Sequence, residues 1–362
     1  MAQITHFVGL DVHARQTNAG ILERDTGELR RRRLSGDPLV ALPLIEGLGP
    51  VVRAVYEAGP TGFALARAAA ERGLEVRVCA PGLIPRKPTD RVKTDARDAE
   101  RLARLLAAGE LSFVRVPSVE EERLRDLVRA REDLCGDLSR ARQRLSHFLR
   151  RRALRFAGSG KNWTRAHWAW LRSLAFEDRA SEVTFADYLA AVNAIEQRRD
   201  TVELALEELA PESPWAETIA RLRCFRGIDT LTAVGLCAEV GDFGRFVHPR
   251  RLGAFLGLVP SERTSDDKRR QGAITKAGPK HSRRLLVEAA KHSWRRPALT
   301  PELRRRQAGQ DPRVCEVAWR AQQRLHRRWC HLVLERRKPV GVSVVALARE
   351  LACFCWEAAL VD

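Results

Sequence analysis

The chain has 362 residues, 44% of them hydrophobic and 30% charged, which excludes a mostly disordered or collagen-like polymer and leaves apolar sequence for two or three cores. Sixty-four Lys and Arg against 46 Asp and Glu give a net charge of +18, a balance that selects a polyanionic partner. The longest apolar run, Val340 to Val361, is broken by Arg349, Glu350 and Glu357, so it reads as an amphipathic helix and not as a membrane span.

The opening residues lack a cationic stretch followed by an apolar core, and the eight cysteines have no framework spacing. Both lead to the expectation of a cytoplasmic, nucleoid-associated protein with reduced thiols. Ile4 to Val12, Thr17 to Glu23 and Glu28 to Leu34 are three β-rich runs at hairpin spacing, with Thr26-Gly27 as a turn. Pro38 to Leu48 has helical spacing, Arg53 to Tyr56 reads as a strand, Phe63 to Arg72 as a helix closed by Gly73, and Glu75 to Cys79 as another strand. A last helix follows, capped by Thr94. The order β-β-β-α-β-α-β-α predicts a mixed α/β sheet of the ribonuclease-H-like kind.

From Val119 the pattern becomes long, charged and helical up to about Arg152, and Tyr188 to Leu209 repeats it, which predicts a coiled-coil middle region. Gly158-Ser159-Gly160-Lys161 imitates a phosphate loop but lacks its leading glycine and has Asn162 for the Ser or Thr. Trp163, Trp168 and Trp170 read first as packing residues and second as stacking platforms. Further on, Leu222 to Asp229 followed by Leu231-Thr232-Ala233 has the outline of a helix-hairpin-helix, with Asp229 where such a hairpin usually has its second glycine. Residues 245–345 hold 25 Lys or Arg against 8 Asp or Glu, so the mostly helical C-terminal region is the expected polyphosphate-binding part. His326, Cys330 and His331 are spaced for metal ligation but lack a convincing fourth ligand.

Four carboxylates stand out by position. Asp11 lies in the first apolar strand, in Gly9-Leu10-Asp11-Val12-His13, where an unpartnered charge is costly. Glu57 ends the strand Arg53 to Tyr56, and strand C-terminal ends are where sites gather in open α/β sheets. Asp95 and Asp98, in Lys93-Thr94-Asp95-Ala96-Arg97-Asp98-Ala99, share one face of the last helix of the sheet region. Singly, Asp95 reads as an acid favoured at a helix N-terminus and Asp98 as a charge that is solvated or paired with a neighbouring arginine. Together they are the oxygen ligands expected of two Mg²⁺ ions holding one phosphate.

These motifs, in this order, resemble the DEDD-type transposases of bacterial insertion sequences, a family that includes the pilin-gene invertases and whose N-terminal domain is similar to RuvC Holliday-junction resolvases. The likeness continues in Arg251-Leu252-Gly253-Ala254-Phe255-Leu256-Gly257-Leu258-Val259-Pro260 and in Arg269-Arg270-Gln271-Gly272-Ala273-Ile274-Thr275-Lys276-Ala277-Gly278. It implies a RuvC-like catalytic domain over residues 1–115, a helical coiled-coil region over 116–210 and a C-terminal transposase domain over 211–362. It implies that Asp11, Glu57, Asp95 and Asp98 bind Mg²⁺ and that a serine forms a transient covalent link to DNA. That serine is Ser265 by position, with Ser261 in reserve; Asp266 stands where the family has glycine, and Pro279 where it usually has asparagine. Without the resemblance, Ser265 reads as a polar turn residue.

Lys268, Arg269 and Arg270, with Lys276, Arg283 and Arg284 beyond them, are the expected nucleic-acid contacts. The family further implies a structured guide RNA encoded by the element and DNA partners at element ends and target, and the coiled-coil signal leads to the expectation of a dimer or tetramer. Two other readings stay open at this level: a RuvC-like junction nuclease in which water attacks, and a nucleic-acid-binding scaffold without catalysis.

Overall fold

The computed structural model describes residues 3–85, 95–158, 161–265 and 268–361. The chain divides into two units, Met1–Ser118 and Val119–Asp362. In the first, β1 (His6–Val12), β2 (Gln16–Glu23) and β3 (Leu29–Ser35) form an antiparallel meander. They are followed by α1 (Ala41–Glu46), β4 (Val52–Glu57), α2 (Ala64–Glu71), β5 (Glu75–Cys79), α3 (Asp95–Ala108) and β6 (Phe113–Val114). The strand order is β3-β2-β1-β4-β5-β6, with β4 parallel to β1 and β5 parallel to β4. This is a mixed α/β sheet compatible with a ribonuclease-H-like domain. The two-residue β6, antiparallel to β5 at the sheet edge, has no counterpart in the sequence reading; two residues are too few to show a strand period.

Strand alternation sorts the side chains onto two faces. Val8, Leu10, Ala54, Tyr56, Val76 and Val78 pack against Leu42 and Ile45 of α1 and Leu65, Ala66 and Ala69 of α2. On the other face Phe7, Val55 and Cys79 meet Leu102 and Leu106 of α3. Between them α3 lies directly on the backbone of the sheet. Gly9 and Gly20 are register partners in β1 and β2. A Cβ on Gly9 would come within 2.8 Å of Leu102 Cβ and 2.5 Å of Ala103 N, and one on Gly20 within 2.8 Å of Glu100 Cα. Side chains of any size at these two positions would push α3 off the sheet.

In the second unit α4 (Val119–Arg151) and α6 (Arg179–Leu209) run antiparallel, with α5 (Arg165–Ser173) between them in sequence. Arg131 pairs with Glu203 at 2.6 Å and Arg142 with Glu196 across the pair. Leu138, Ala141, Leu145 and Phe148 of α4 meet Phe185 and Val192 of α6, and Trp163, Trp168 and Trp170 pack around this cluster. The helix α6 begins nine residues before the expected Tyr188, because Asp178 caps it by accepting from Ser181 N at 2.7 Å.

The rest of the unit comprises α7 (Ala216–Leu222), α8 (Thr230–Val240), α9 (Pro249–Phe255), the hairpin β7 (Pro260–Ser265) and β8 (Lys268–Ile274), α10 (Lys280–Ala290), α11 (Pro301–Gln307), α12 (Pro312–Trp329) and α13 (Val340–Ala359). The core is built around α8, buried from Ala233 to Ala238, and takes Leu347, Leu351 and Cys355 from α13. Among the described residues no helix is long and apolar enough to cross a membrane. At the helix-hairpin-helix outline, Gly227 turns the chain at φ +83, and Asp229 accepts from Thr232 N at 2.8 Å. The Asp229 carboxylate therefore caps α8 from within, at the place where a phosphate would sit. His326 bonds Ser293 O through Nδ1 at 3.0 Å and lies 3.7 Å from Cys330 Sγ, while His331 is engaged by Glu335 at 2.7 Å. Each of these groups has a protein partner.

Candidate active site

The seat of α3 on the two facing glycines determines what reaches the C-terminal end of β1. Gly9 touches α3 at Ala99, Leu102 and Ala103. Asp11 lies two residues further along the strand on the same face, and one turn back along α3 come Asp98 and Asp95. The Asp11 Oδ2 is 3.1 Å from His13 Nε2, which is 3.8 Å from Asp95 Oδ2. One ligand atom from each of Asp11, His13 and Asp95 lies within 4.8 Å of the others; among the described residues no other group of three or more His, Cys, Asp or Glu meets this condition.

Asp98 stands outside that radius. It is engaged by Arg101 at 2.8 Å on the same helix, and its charge is still felt at Asp11. Glu57 also stands outside it. The register pairs Leu10 with Tyr56, which makes Asp11 and Glu57 the next neighbours along the parallel strands β1 and β4. The Glu57 charge adds to burial in pushing the Cys79 thiol up to about 11, so its field covers the β5 end of the sheet. Lys93 and Thr94, which lead into α3 in the motif, lie outside the described residues.

The electrostatics fit a cation. Burial pushes the Asp11 carboxyl above its ordinary value, His13 pulls it down, and the charges of Asp95 and Asp98 push it up again. The net direction is upward and burial is its largest cause, so an ionised carboxylate is disfavoured at this position. Two carboxylates and an imidazole at 4.8 Å or less are a donor set suited to a divalent ion, with the carboxylates supplying the hard oxygens. His13 is the member of this group that the sequence reading did not assign. The signal for it was the i, i+2 spacing from Asp11, which leaves two residues on one side of an extended chain.

The hairpin of the second unit carries the other expected residues. Ser265 pairs with Lys268, Thr264 with Arg269 and Arg263 with Arg270, so Ser265 is the last residue of β7 before the turn. The side chains of Ser265, Lys268 and Arg269, and residues 266–267, lie outside the described residues. Ser261 sits at the opposite end, where the register slips by one residue on β8, and a Cβ on Gly272 would come within 2.6 Å of its hydroxyl. The base of the hairpin is pinned by Thr275 N donating to Val259 O at 2.9 Å and Lys276 N to Gly257 O at 3.1 Å. Arg283 donates to both Leu256 O and Ala277 O at 2.8 Å, so its guanidinium holds that base together. Arg284 is engaged by Glu132, whereas the side chains of Arg270 and Lys276 are exposed. The hairpin was not legible as strands because Pro-Ser-Glu-Arg-Thr-Ser and Lys-Arg-Arg-Gln-Gly-Ala-Ile lack alternating apolar residues.

Comparison with known proteins bears on this arrangement. The profile of the transposase IS116/IS110/IS902 family matches residues 219–306, and a DEDD-type profile described as transposase matches residues 8–152. The chain is 40% identical over 301 residues to the putative transposase y4qE of Sinorhizobium fredii, covering 83% of this chain and 73% of that protein. It is 34% identical over 347 residues to the transposase for insertion sequence element IS1533 of Leptospira borgpetersenii, covering 92% of this chain and 98% of that one. With both parts of the chain matched, and a relative aligned over nearly its whole length, the protein belongs to the DEDD-type insertion-sequence transposases of the IS116/IS110/IS902 family, enzymes that cleave and rejoin DNA.

Proposed function

We propose that this transposase works with a Mg²⁺-binding acidic tetrad, Asp11, Glu57, Asp95 and Asp98, and with Ser265 as nucleophile. The observation that carries the reading is the approach of Asp11 and Asp95 beneath α3, with Asp98 adding its charge to theirs. Two bound Mg²⁺ ions would supply Lewis-acid stabilisation of the charge that develops on the phosphate oxygens. The chain's own groups do the rest. The Ser265 hydroxyl attacks phosphorus, its Oγ–P bond forms as the bond to the departing strand breaks, and the departing oxygen takes up a proton. The phosphoserine conserves the energy of the broken linkage, so a strand hydroxyl can reverse the step on a new partner without external energy. Lys268, Arg269 and Arg270 are adjacent to Ser265 on the paired strand and are suited to holding the phosphate; Lys276 extends that surface. Arg283 and Arg284 contribute behind it by holding the hairpin base and α10 in place.

The same reading includes a structured guide RNA, which would leave sequence choice to base pairing and backbone recognition to the protein. It also includes a dimer or tetramer formed through α4 and α6 as a coiled coil. The test is denaturant-resistant trapping of the protein on cleaved DNA. A covalent adduct is expected with the parent and with Ser261→Ala, and none with Ser265→Ala. Cleavage by Ser265→Ala at parental rate, without any adduct, would instead establish attack by water.

A further inference from the structure

Residues 138–176, which comprise the second half of α4, the whole of α5 and the chain that joins them, hold ten Lys or Arg and no Asp or Glu. The flanking stretches 119–137 and 177–212 together hold 17 acids against 7 bases, which hides this concentration in the sum over the middle region. In the flanks five of the seven arginines have hydrogen-bond or ion-pair partners, as in Arg131 with Glu203 and Arg199 with Asp200. In the basic stretch the side chains of Arg144, Arg150, Arg151, Arg155, Lys161 and Arg165 are exposed and have no hydrogen bond or ion pair among the described residues.

Helix electrostatics account for only part of this. Arg150 and Arg151 complement the C-terminus of α4, as cations there should. Arg140 and Arg144 are like charges at i, i+4, which weakens a helix. Arg165 sits in the first turn of α5, where a cation opposes the helix dipole, and no acid in that turn offsets it. Such a field is unfavourable for the folded chain alone and becomes favourable against an external anion.

Beside these charges is an aromatic wall. A cavity of about 480 Å³ is lined by Ser139, Arg142, Gln143, Ser146, Arg150 and Trp163, among others. Trp163 has φ +68, a conformation that bulky side chains rarely adopt, and its ring lies 4.7 Å from the Arg142 guanidinium. The cavity falls in the size range of sites for small organic ligands, and its wall combines a π-surface, hydroxyl and amide groups and fixed cations.

We infer that this end of the α4–α6 arm binds single-stranded nucleic acid, with an unstacked base in the Trp163 cavity and the unpaired arginines on the adjoining phosphates. A duplex would offer the phosphates but keep its bases stacked and unavailable to the cavity. The residues belong neither to the carboxylate cluster nor to the hairpin.

The test uses the full chain with a chelator present, so cleavage is silent and the outcome does not depend on the reading of the catalytic groups. Anisotropy of a labelled single-stranded oligonucleotide and of its blunt duplex is measured across a salt series. For Arg144→Glu/Arg150→Glu/Arg151→Glu, single-strand affinity should fall at least about tenfold and the log–log salt slope should decrease by about two, with a clearly smaller loss on the duplex. Trp163→Ala should weaken single-strand binding on the order of tenfold, and Trp163→Phe should restore it. The triple variant changes only exposed, unpaired side chains, so it stays informative if Trp163→Ala loosens the arm. Parental single-strand affinity in the triple variant, or an equal loss on both strand forms, would overturn the inference.

Discussion

Asp11 is held where an ionised carboxyl is disfavoured, half-buried and with two further carboxylates acting on it. Functional sites carry such a cost when a ligand relieves it. Two consequences follow for a melting experiment. Without divalent cation, Asp11→Asn should melt no lower than the parent and up to a few degrees higher, because it removes a charge that burial disfavours while keeping the shape. With Mg²⁺ in large excess the parent should gain stability, about 2.7 kcal/mol at a hundredfold excess over its dissociation constant, and Asp11→Asn should gain little. A variant that melts well below the parent in chelator would mean that Asp11 is a structural ion-pair partner instead. At this scale Asp11 and Asp95 were legible because a charge inside an apolar strand and an acid in a first helical turn are both conspicuous. His13 was not, since its partners are set by the turn at the end of β1 and by where α3 lands.

The element that matters most is α3, and its placement depends on two residues without side chains. Gly9→Ala should cost about 1–3 kcal/mol in the stability of the first unit through overpacking. It should also abolish the stabilisation by Mg²⁺, because α3 carries Asp95 and Asp98 away with it. Gly27→Ala is the control: this glycine has φ +71 but nothing within 4 Å of the added carbon, so it strains a turn without touching α3. Thermal melts of the two variants, with and without divalent cation, separate the effects; an unchanged Mg²⁺ response in Gly9→Ala would contradict the assigned role. The element order of the sheet was readable from apolar alternation and turn residues. The glycines' role was not, because a close backbone approach leaves no periodic trace. Likewise β6 and the hairpin of β7 and β8 are strands by pairing and not by pattern.

Over the whole molecule, charge is distributed in a way that net composition conceals. The C-terminal region carries a basic excess that the sequence shows directly, and the α4–α6 arm carries a second concentration balanced by its own acidic flanks. Against these stands, among the described residues, one compact group of acids with an imidazole at the C-terminal end of β1. A transposase has to hold long polyanions, which a cluster of carboxylates repels, and the two kinds of charge are kept on separate stretches of the chain. Family membership was legible because motifs from both units occur in order. Which arginines face outward was not, since an arginine that pins a backbone, such as Arg283, reads in sequence like one left free.

The central claim is that the acids beneath α3 form a metal centre. Anomalous diffraction from crystals of the full chain equilibrated with Mn²⁺ tests it without reference to activity. The account predicts anomalous density within coordination distance of Asp11 and Asp95, lost in Asp11→Asn; strong Mn²⁺ peaks only elsewhere, with these carboxylates resolved and unliganded, would contradict it.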